Sequence, residues 1–113
     1  MTATEKQEIE EVLRRVVEEI RLGYDPEKII LFGSYASGEP NEESDIDLFI
    51  VKESDKSRLE RFMEVRRLVR GLGLPTAIAP LVYTPAEVNK RVNIGDDFVK
   101  EVLSKGRVLY ARE

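Results

Sequence analysis

Asp45 and Asp47 stand at the start of an apolar run, Ile46-Asp47-Leu48-Phe49-Ile50-Val51. On an extended strand alternate side chains share a face, so the two carboxylates project together while Ile46 and Leu48 point away. Adjacent like charges repel, and a hard divalent cation such as Mg²⁺ is the usual remedy. Burying such a pair without a partner is costly, so either this strand end is exposed or a cation sits there. Upstream, Ile29-Ile30-Leu31-Phe32 forms another apolar run and ends directly in Gly33-Ser34-Tyr35-Ala36-Ser37-Gly38. A glycine after a strand lets the backbone approach a ligand closely, and a helix opening at Ser34 would aim the Ser34 and Tyr35 N–H groups at an anion. A phosphate cradle facing a carboxylate-held metal is the pairing that metal-assisted phosphoryl chemistry needs. Taken singly, the two motifs are an ordinary turn and an ordinary polar strand entry. Their occurrence on consecutive apolar strands with a short polar link favours chemistry.

Composition narrows that chemistry. The chain has no histidine, which excludes a histidine base, a histidine metal ligand and any Ser-His-Asp mechanism. It has no cysteine, so disulfides and thiolate metal sites are excluded too. Carboxylates and a metal must carry any reaction. A length of 113 residues suits one domain, 1–113, with a single core. The net charge of -4 gives no general attraction to nucleic acid, so unspecific nucleic-acid binding is not expected. The polar, acidic stretch from Met1 to Glu19 is unlike a secretory signal, and no apolar run approaches the roughly 20 residues needed to span a bilayer. A cytoplasmic protein without membrane contact is the expectation.

The elements that must position the motifs follow from periodicity. Thr4 and Gln7 suit a capping box for a first helix, with Ile9, Val12, Leu13, Val16, Val17 and Ile20 as its buried stripe and Gly23 as its stop. Glu10, Glu11, Arg14, Arg15, Glu18 and Glu19 form its solvated face. Strands are predicted over Ile29–Phe32 and Asp45–Val51, separated by the short helix at Ser34 and a polar loop, 38–43. Ser54 suits the cap of a third helix that buries Leu59, Phe62, Val65, Val69 and Leu72. Its arginines, 58, 61, 66, 67 and 70, read first as structural and second as contacts for a triphosphate or an acidic partner. Thr76–Tyr83 is a third strand, in which Pro80 argues for an edge or an interruption. Thr84-Pro85-Ala86-Glu87 starts a fourth helix, Asp96 a fifth with Phe98, Val99, Val102 and Leu103 inward, and Val108-Leu109-Tyr110 a short final strand. Strands alternating with helices give a small α/β (α+β) domain.

Gly33-Ser34, ten residues, then Asp45-Ile46-Asp47 resembles the signature of the nucleotidyltransferase superfamily that includes DNA polymerase β. The short Gly33-Ser34-Tyr35-Ala36-x-Gly38 form resembles its minimal nucleotidyltransferase branch, often encoded beside a HEPN-domain partner in toxin–antitoxin systems. The similarity runs from about Ile29 to Tyr110. It implies the polymerase β-like fold, a small mixed sheet flanked by helices. It implies that Gly33 and Ser34 hold a triphosphate, with Tyr35 and Ser44 beside it, and that Asp45 and Asp47 are the catalytic, metal-binding carboxylates. The implied reaction uses Mg²⁺ and a nucleoside triphosphate, ATP foremost, and moves a nucleoside monophosphate to a hydroxyl of a partner, with a tyrosine of a HEPN-type toxin the expected acceptor. A third carboxylate usual in the family falls, counting back from Thr84-Pro85, at Ala79, and no acid occurs between Glu64 and Glu87. Ala79 is therefore expected beside the aspartates, leaving the pocket one acid short. The alternative is an impaired antitoxin that acts by binding its partner. Base preference and homo-oligomerisation stay open.

Overall fold

The computed structural model describes residues 2–41 and 43–113. In chain order these form α1 (Ala3–Tyr24), β1 (Lys28–Phe32), α2 (Ser34–Ser37), β2 (Ile46–Val51), α3 (Arg58–Arg70), β3 (Ile78–Tyr83), α4 (Pro85–Asn93), α5 (Asp97–Lys105) and β4 (Arg107–Ala111). The strands make one mixed sheet in the order β3-β2-β1-β4. β1 runs antiparallel to both β2 and β4, and β2 runs parallel to β3 through the α3 crossover.

The continuous apolar character of β1 and β2 places them in the middle, where both faces are covered. On one face Ile29, Leu31, Ile46, Leu48, Ile50, Ile78 and Val82 pack against Val12, Val16 and Ile20 of α1 and Val65 and Val69 of α3. On the other, Ile30, Phe49 and Tyr83 pack with Val99 and Val102 of α5. Pro80 sits on β3, an edge strand, where its missing N–H costs no ladder bond on the outer side. Among the described residues no helix is long and apolar enough to cross a membrane.

Several boundaries differ from the sequence expectation. α1 is capped by Thr2, whose hydroxyl accepts from the Glu5 N–H, rather than by Thr4. It runs past Gly23 to the buried Tyr24 and ends at Asp25, which itself takes the left-handed conformation (φ 50°). α3 is capped by Ser57 in a reciprocal box with Glu60, while the Ser54 hydroxyl accepts from Lys56 N–H in the preceding turn. Leu59 is consequently 69% exposed, Phe62 is half-buried, and Arg61 takes the inward position. In α5, Val99 and Val102 are buried, whereas Phe98 and Leu103 lie at the rim, with Phe98 edge-on to Phe32 at 5.5 Å between ring centres. Asp96 is the α5 cap, accepting from Val99 N–H.

Three of the α3 arginines, Arg58, Arg61 and Arg66, have structural partners. Arg58 lies over the Tyr83 ring at 4.5 Å and Arg66 over Phe62 at 5.5 Å. Arg61 donates from Nε to the Lys56 carbonyl (2.9 Å) and from Nη1 to the Val82 carbonyl (3.0 Å) and Glu87 Oε1 (2.8 Å). Glu87 in turn accepts from Thr84 N–H, so α3, β3 and the start of α4 are tied at one point.

Candidate active site

Strand register fixes the row on which the site stands. Phe32 of β1 is opposite Asp47 of β2, and Asp47 is opposite Ala79 of β3. Paired residues share a face, so the three side chains lie side by side on the α5 side of the sheet, the face that also carries Phe49. Asp45 immediately precedes β2, two residues before Asp47, and is exposed, whereas Asp47 is half-buried. Burial, and then the negative charge of Asp45, push the Asp47 carboxyl above its ordinary value.

The turn after β1 meets this carboxylate directly. A Cβ added at Gly33 would collide with Asp47 Oδ2 and lie 3.1 Å from its Cγ. Gly33 also has φ 76° and ψ -156°, a region open essentially to glycine alone. The sequence offers a ligand-side reason for this glycine; the structure adds two internal ones. From Gly33 the chain enters α2, where Ala36 and Ser37 donate their N–H groups to the Gly33 carbonyl at 3.1 Å. Among the described residues the Ser34 and Tyr35 N–H groups, at the first two helical positions, donate to no backbone carbonyl. The motif thus brings a glycine turn, two free backbone donors and the Asp47 carboxylate to one sheet end.

Gly33→Ala is expected to cost about 2 kcal/mol, from backbone strain and displacement of Asp47. Gly38→Ala is the control, because Gly38 also has positive φ (82°) but nothing within 4 Å of an added Cβ. Thermal denaturation of the two variants checks this. Equal losses would mean that the Asp47 contact contributes nothing.

Ser44 has a local occupation: its Oγ accepts from Asn41 N–H at 2.9 Å and reaches Asn41 Oδ1 at 3.3 Å, closing the loop before Asp45. Tyr35 packs half-buried against the main core. Beside Asp45 opens a cleft of about 510 Å³, lined by Glu5, Glu8 and Ile9 of α1, Tyr35, Glu43 and Ala77 among others. The contribution of α1 was not legible in the sequence, since nothing local says that its first two turns come to rest beside a loop some forty residues away.

Among the described residues no set of three His, Cys, Asp or Glu side chains converges as a metal cage. Glu87 is engaged by Arg61, and Asp97 stands in the first turn of α5. Two same-face carboxylates, with burial and mutual repulsion acting on Asp47, still fit a hard cation of the Mg²⁺ type. Such an ion commonly takes one or two carboxylates and completes its shell with water and phosphate oxygens.

Comparisons with known proteins agree with this architecture. Residues 9–110 match the family model described as a nucleotidyltransferase domain. A Methanocaldococcus jannaschii relative named "Putative protein adenylyltransferase MJ0604" is 41% identical over 83 residues, 74% of this chain and 77% of its own. The fold is shared with a crystal structure from Sulfolobus solfataricus described as "a putative nucleotidyltransferase", at a TM-score of 0.66 and 19% identity over 99% of this chain and 90% of that one. It is shared also with a toxin-antitoxin crystallised with AMP-PNP, at a TM-score of 0.64 and 18% identity over 89% of this chain and 74% of that one. The family match spans both strands that carry the glycine turn and the aspartate pair, and on that match this chain belongs to the nucleotidyltransferase domain family.

Proposed function

We propose that this chain binds Mg-ATP where the Gly33 turn meets Asp47 and transfers AMP to a hydroxyl of a partner protein, a HEPN-type toxin being the expected partner in a cytoplasmic setting. The observation that carries the reading is the apposition of the glycine turn to a carboxylate whose proton affinity is raised by burial and by a second carboxylate on the same face. The adenylyltransferase name of a relative and the AMP-PNP and toxin-antitoxin wording of a structural neighbour support the choice of nucleotide and partner.

Asp45 and Asp47 would hold the cation, which when bound supplies charge neutralisation for the triphosphate and the leaving pyrophosphate. The chain's own part is positioning. The Ser34 and Tyr35 N–H groups would receive non-bridging oxygens of the outer phosphates, and Gly33 keeps that approach open. The acceptor hydroxyl oxygen then bonds to the α-phosphorus as the bond to pyrophosphate breaks.

Ala79 favours a second reading. It occupies the register position beside Asp47, and among the described residues no acid stands in for it. Under this reading the chain binds nucleotide and partner but transfers slowly. Labelled ATP, Mg²⁺ and a HEPN-type partner provide the test, read as AMP mass added to the partner. Transfer by the parent chain that rises in Ala79→Asp is the expected result. A parent rate that falls in Ala79→Asp would remove the proposed acid deficit, and no Mg-ATP binding by the parent would remove the transferase reading itself.

A further inference from the structure

We infer that the base of the nucleotide seats in the corner between Phe32 and Phe98, with the Phe98 ring as its stacking platform; this deepens, and rests on, the nucleotide-binding reading above. A cavity of about 210 Å³ opens there, walled by Phe32, Gly33 and Ala36 on one side and by Phe98, Val102 and Gly106 on the other. It lies on the α5 face of the sheet, the face of Asp47. Gly33 belongs both to its wall and to the turn that meets the Asp47 carboxylate.

The sequence builds this cavity around α5. Gly106 lets the end of the helix lie close on β1, since an added Cβ there would collide with Ile30 Cγ2 and the Val102 carbonyl. Val99 and Val102 anchor the helix in the core, yet Phe98 beside them stays 40% exposed. Phe98 and Phe32 meet at 5.5 Å between ring centres and 79° between ring planes. Rings set edge to face form two walls of a corner, on one of which a further flat ring can lie while meeting the edge of the other.

Size and position decide the occupant. The volume falls below the roughly 300 Å³ at which pockets begin to take whole drug-sized ligands, and suits one ring system. Apolar walls do not suit phosphates. Across the sheet the row runs Ala79, Asp47, Phe32, and Phe98 stands against Phe32, so the corner is one strand away from the metal-binding carboxylate. An aromatic side chain of the acceptor is the rival occupant. Displacement in line sends the acceptor hydroxyl to the side of the α-phosphorus opposite the departing pyrophosphate. With the outer phosphates at the Gly33 turn, the acceptor approaches from the side away from that turn. A cavity walled by Gly33 therefore falls to the nucleoside. At its mouth Glu101 and Lys105 are paired only loosely, at 3.8 Å on exposed side chains, which leaves an acceptor and a donor for the polar edge of a base.

Calorimetry of Mg-ATP and of Mg-ribose 5-triphosphate, which lacks only the base, tests this. The parent chain is expected to bind Mg-ATP more tightly. Phe98→Ala should weaken Mg-ATP about tenfold, the usual worth of stacking a base on an aromatic ring, and leave Mg-ribose 5-triphosphate unchanged. Phe98→Tyr, which keeps a ring, should retain the parent affinity. Leu103→Ala is the control, because Leu103 is 39% exposed on the same helix but lies outside the cavity wall. Melting curves check each fold, and if Phe98→Ala does not fold, the parent's preference between the two ligands and Phe98→Leu carry the test. Equal parent affinities for the two ligands, or full Mg-ATP affinity in a folded Phe98→Ala, would overturn the inference and leave the transferase reading standing. Equal loss of both ligands in Phe98→Ala would also overturn it, by showing that the ring acts through the turn. Unchanged Mg-ATP affinity with a raised KM for the partner would hand the corner to the acceptor. A parent that binds neither ligand would sink the nucleotide-binding reading and this inference with it.

Discussion

Replacing Asp45 and Asp47 together by asparagine is expected to abolish the Mg²⁺ dependence of ATP binding and to lower adenylyl transfer by about a thousandfold, the several kcal/mol that metal-held charge stabilisation supplies. The reason lies in the local electrostatics. Asp47 is half-buried, its carboxyl is pushed up by that burial and by Asp45, and no cationic side chain offsets either acid among the described ion pairs. Asparagine keeps the shape and removes both charges. The same change should raise the stability of the metal-free protein, because a raised folded-state affinity for protons means that the ionised Asp47 opposes folding. The sign is definite: the penalty is fully present above the raised folded-state value and is relieved as pH falls through that value toward the unfolded one. Mg²⁺ should relieve it at neutral pH by another route. Calorimetry of Mg-ATP against parent and variant, with melting curves from acid to neutral pH, reads both effects. Identical metal-dependent affinity in the double variant would end the assignment of this pair as the metal site.

How legible the site was depends on whether each feature is local. The β1 and β2 runs, the short α2 and the same-face relation of Asp45 and Asp47 follow from alternation and from the Gly33 punctuation, which act over a few residues. The β3 edge was readable from Pro80. The row Phe32, Asp47, Ala79 required a pairing register, which the count back from Thr84-Pro85 could approach only through family resemblance. Caps were misplaced where a second hydroxyl residue stood close by in the sequence, Thr2 beside Thr4 and Ser57 beside Ser54. There the choice fell to the hydroxyl that met an N–H three residues on, Glu5 for Thr2 and Glu60 for Ser57. Arg61 is the plainest failure. A helical stripe read from apolar residues has no place for a buried guanidinium, whose partners come from three other segments.

Arg61→Leu is expected to destabilise the fold by about 3 kcal/mol, since removing the buried guanidinium leaves the half-buried Glu87 without its counter-charge and two backbone carbonyls without their donor. For a chain of this size that is a fall of about 10 °C in Tm. Arg61 is 6% exposed, and its guanidinium serves the Lys56 and Val82 carbonyls as well as Glu87. Leucine offers nothing to either carbonyl, so the loss exceeds that of a surface ion pair. Glu87 shows the same coupling from the other side. Burial pushes its carboxyl up, but hydrogen bonds from Arg61 and the Thr84 N–H, with the charges of Arg61 and Arg58, outweigh that and hold it below its ordinary value. A depressed carboxyl stabilises the fold above its unfolded-state value, and that contribution is lost as pH falls through the folded-state value. The acid limb of the stability curve should therefore be shallower in Glu87→Gln, which keeps an acceptor for Thr84 N–H but carries no charge. Arg61→Leu combined with Glu87→Gln should cost less than the sum of the single changes, because the second removes the charge that the first leaves stranded. Strictly additive losses in such a cycle would show that Arg61 acts through its two carbonyls alone.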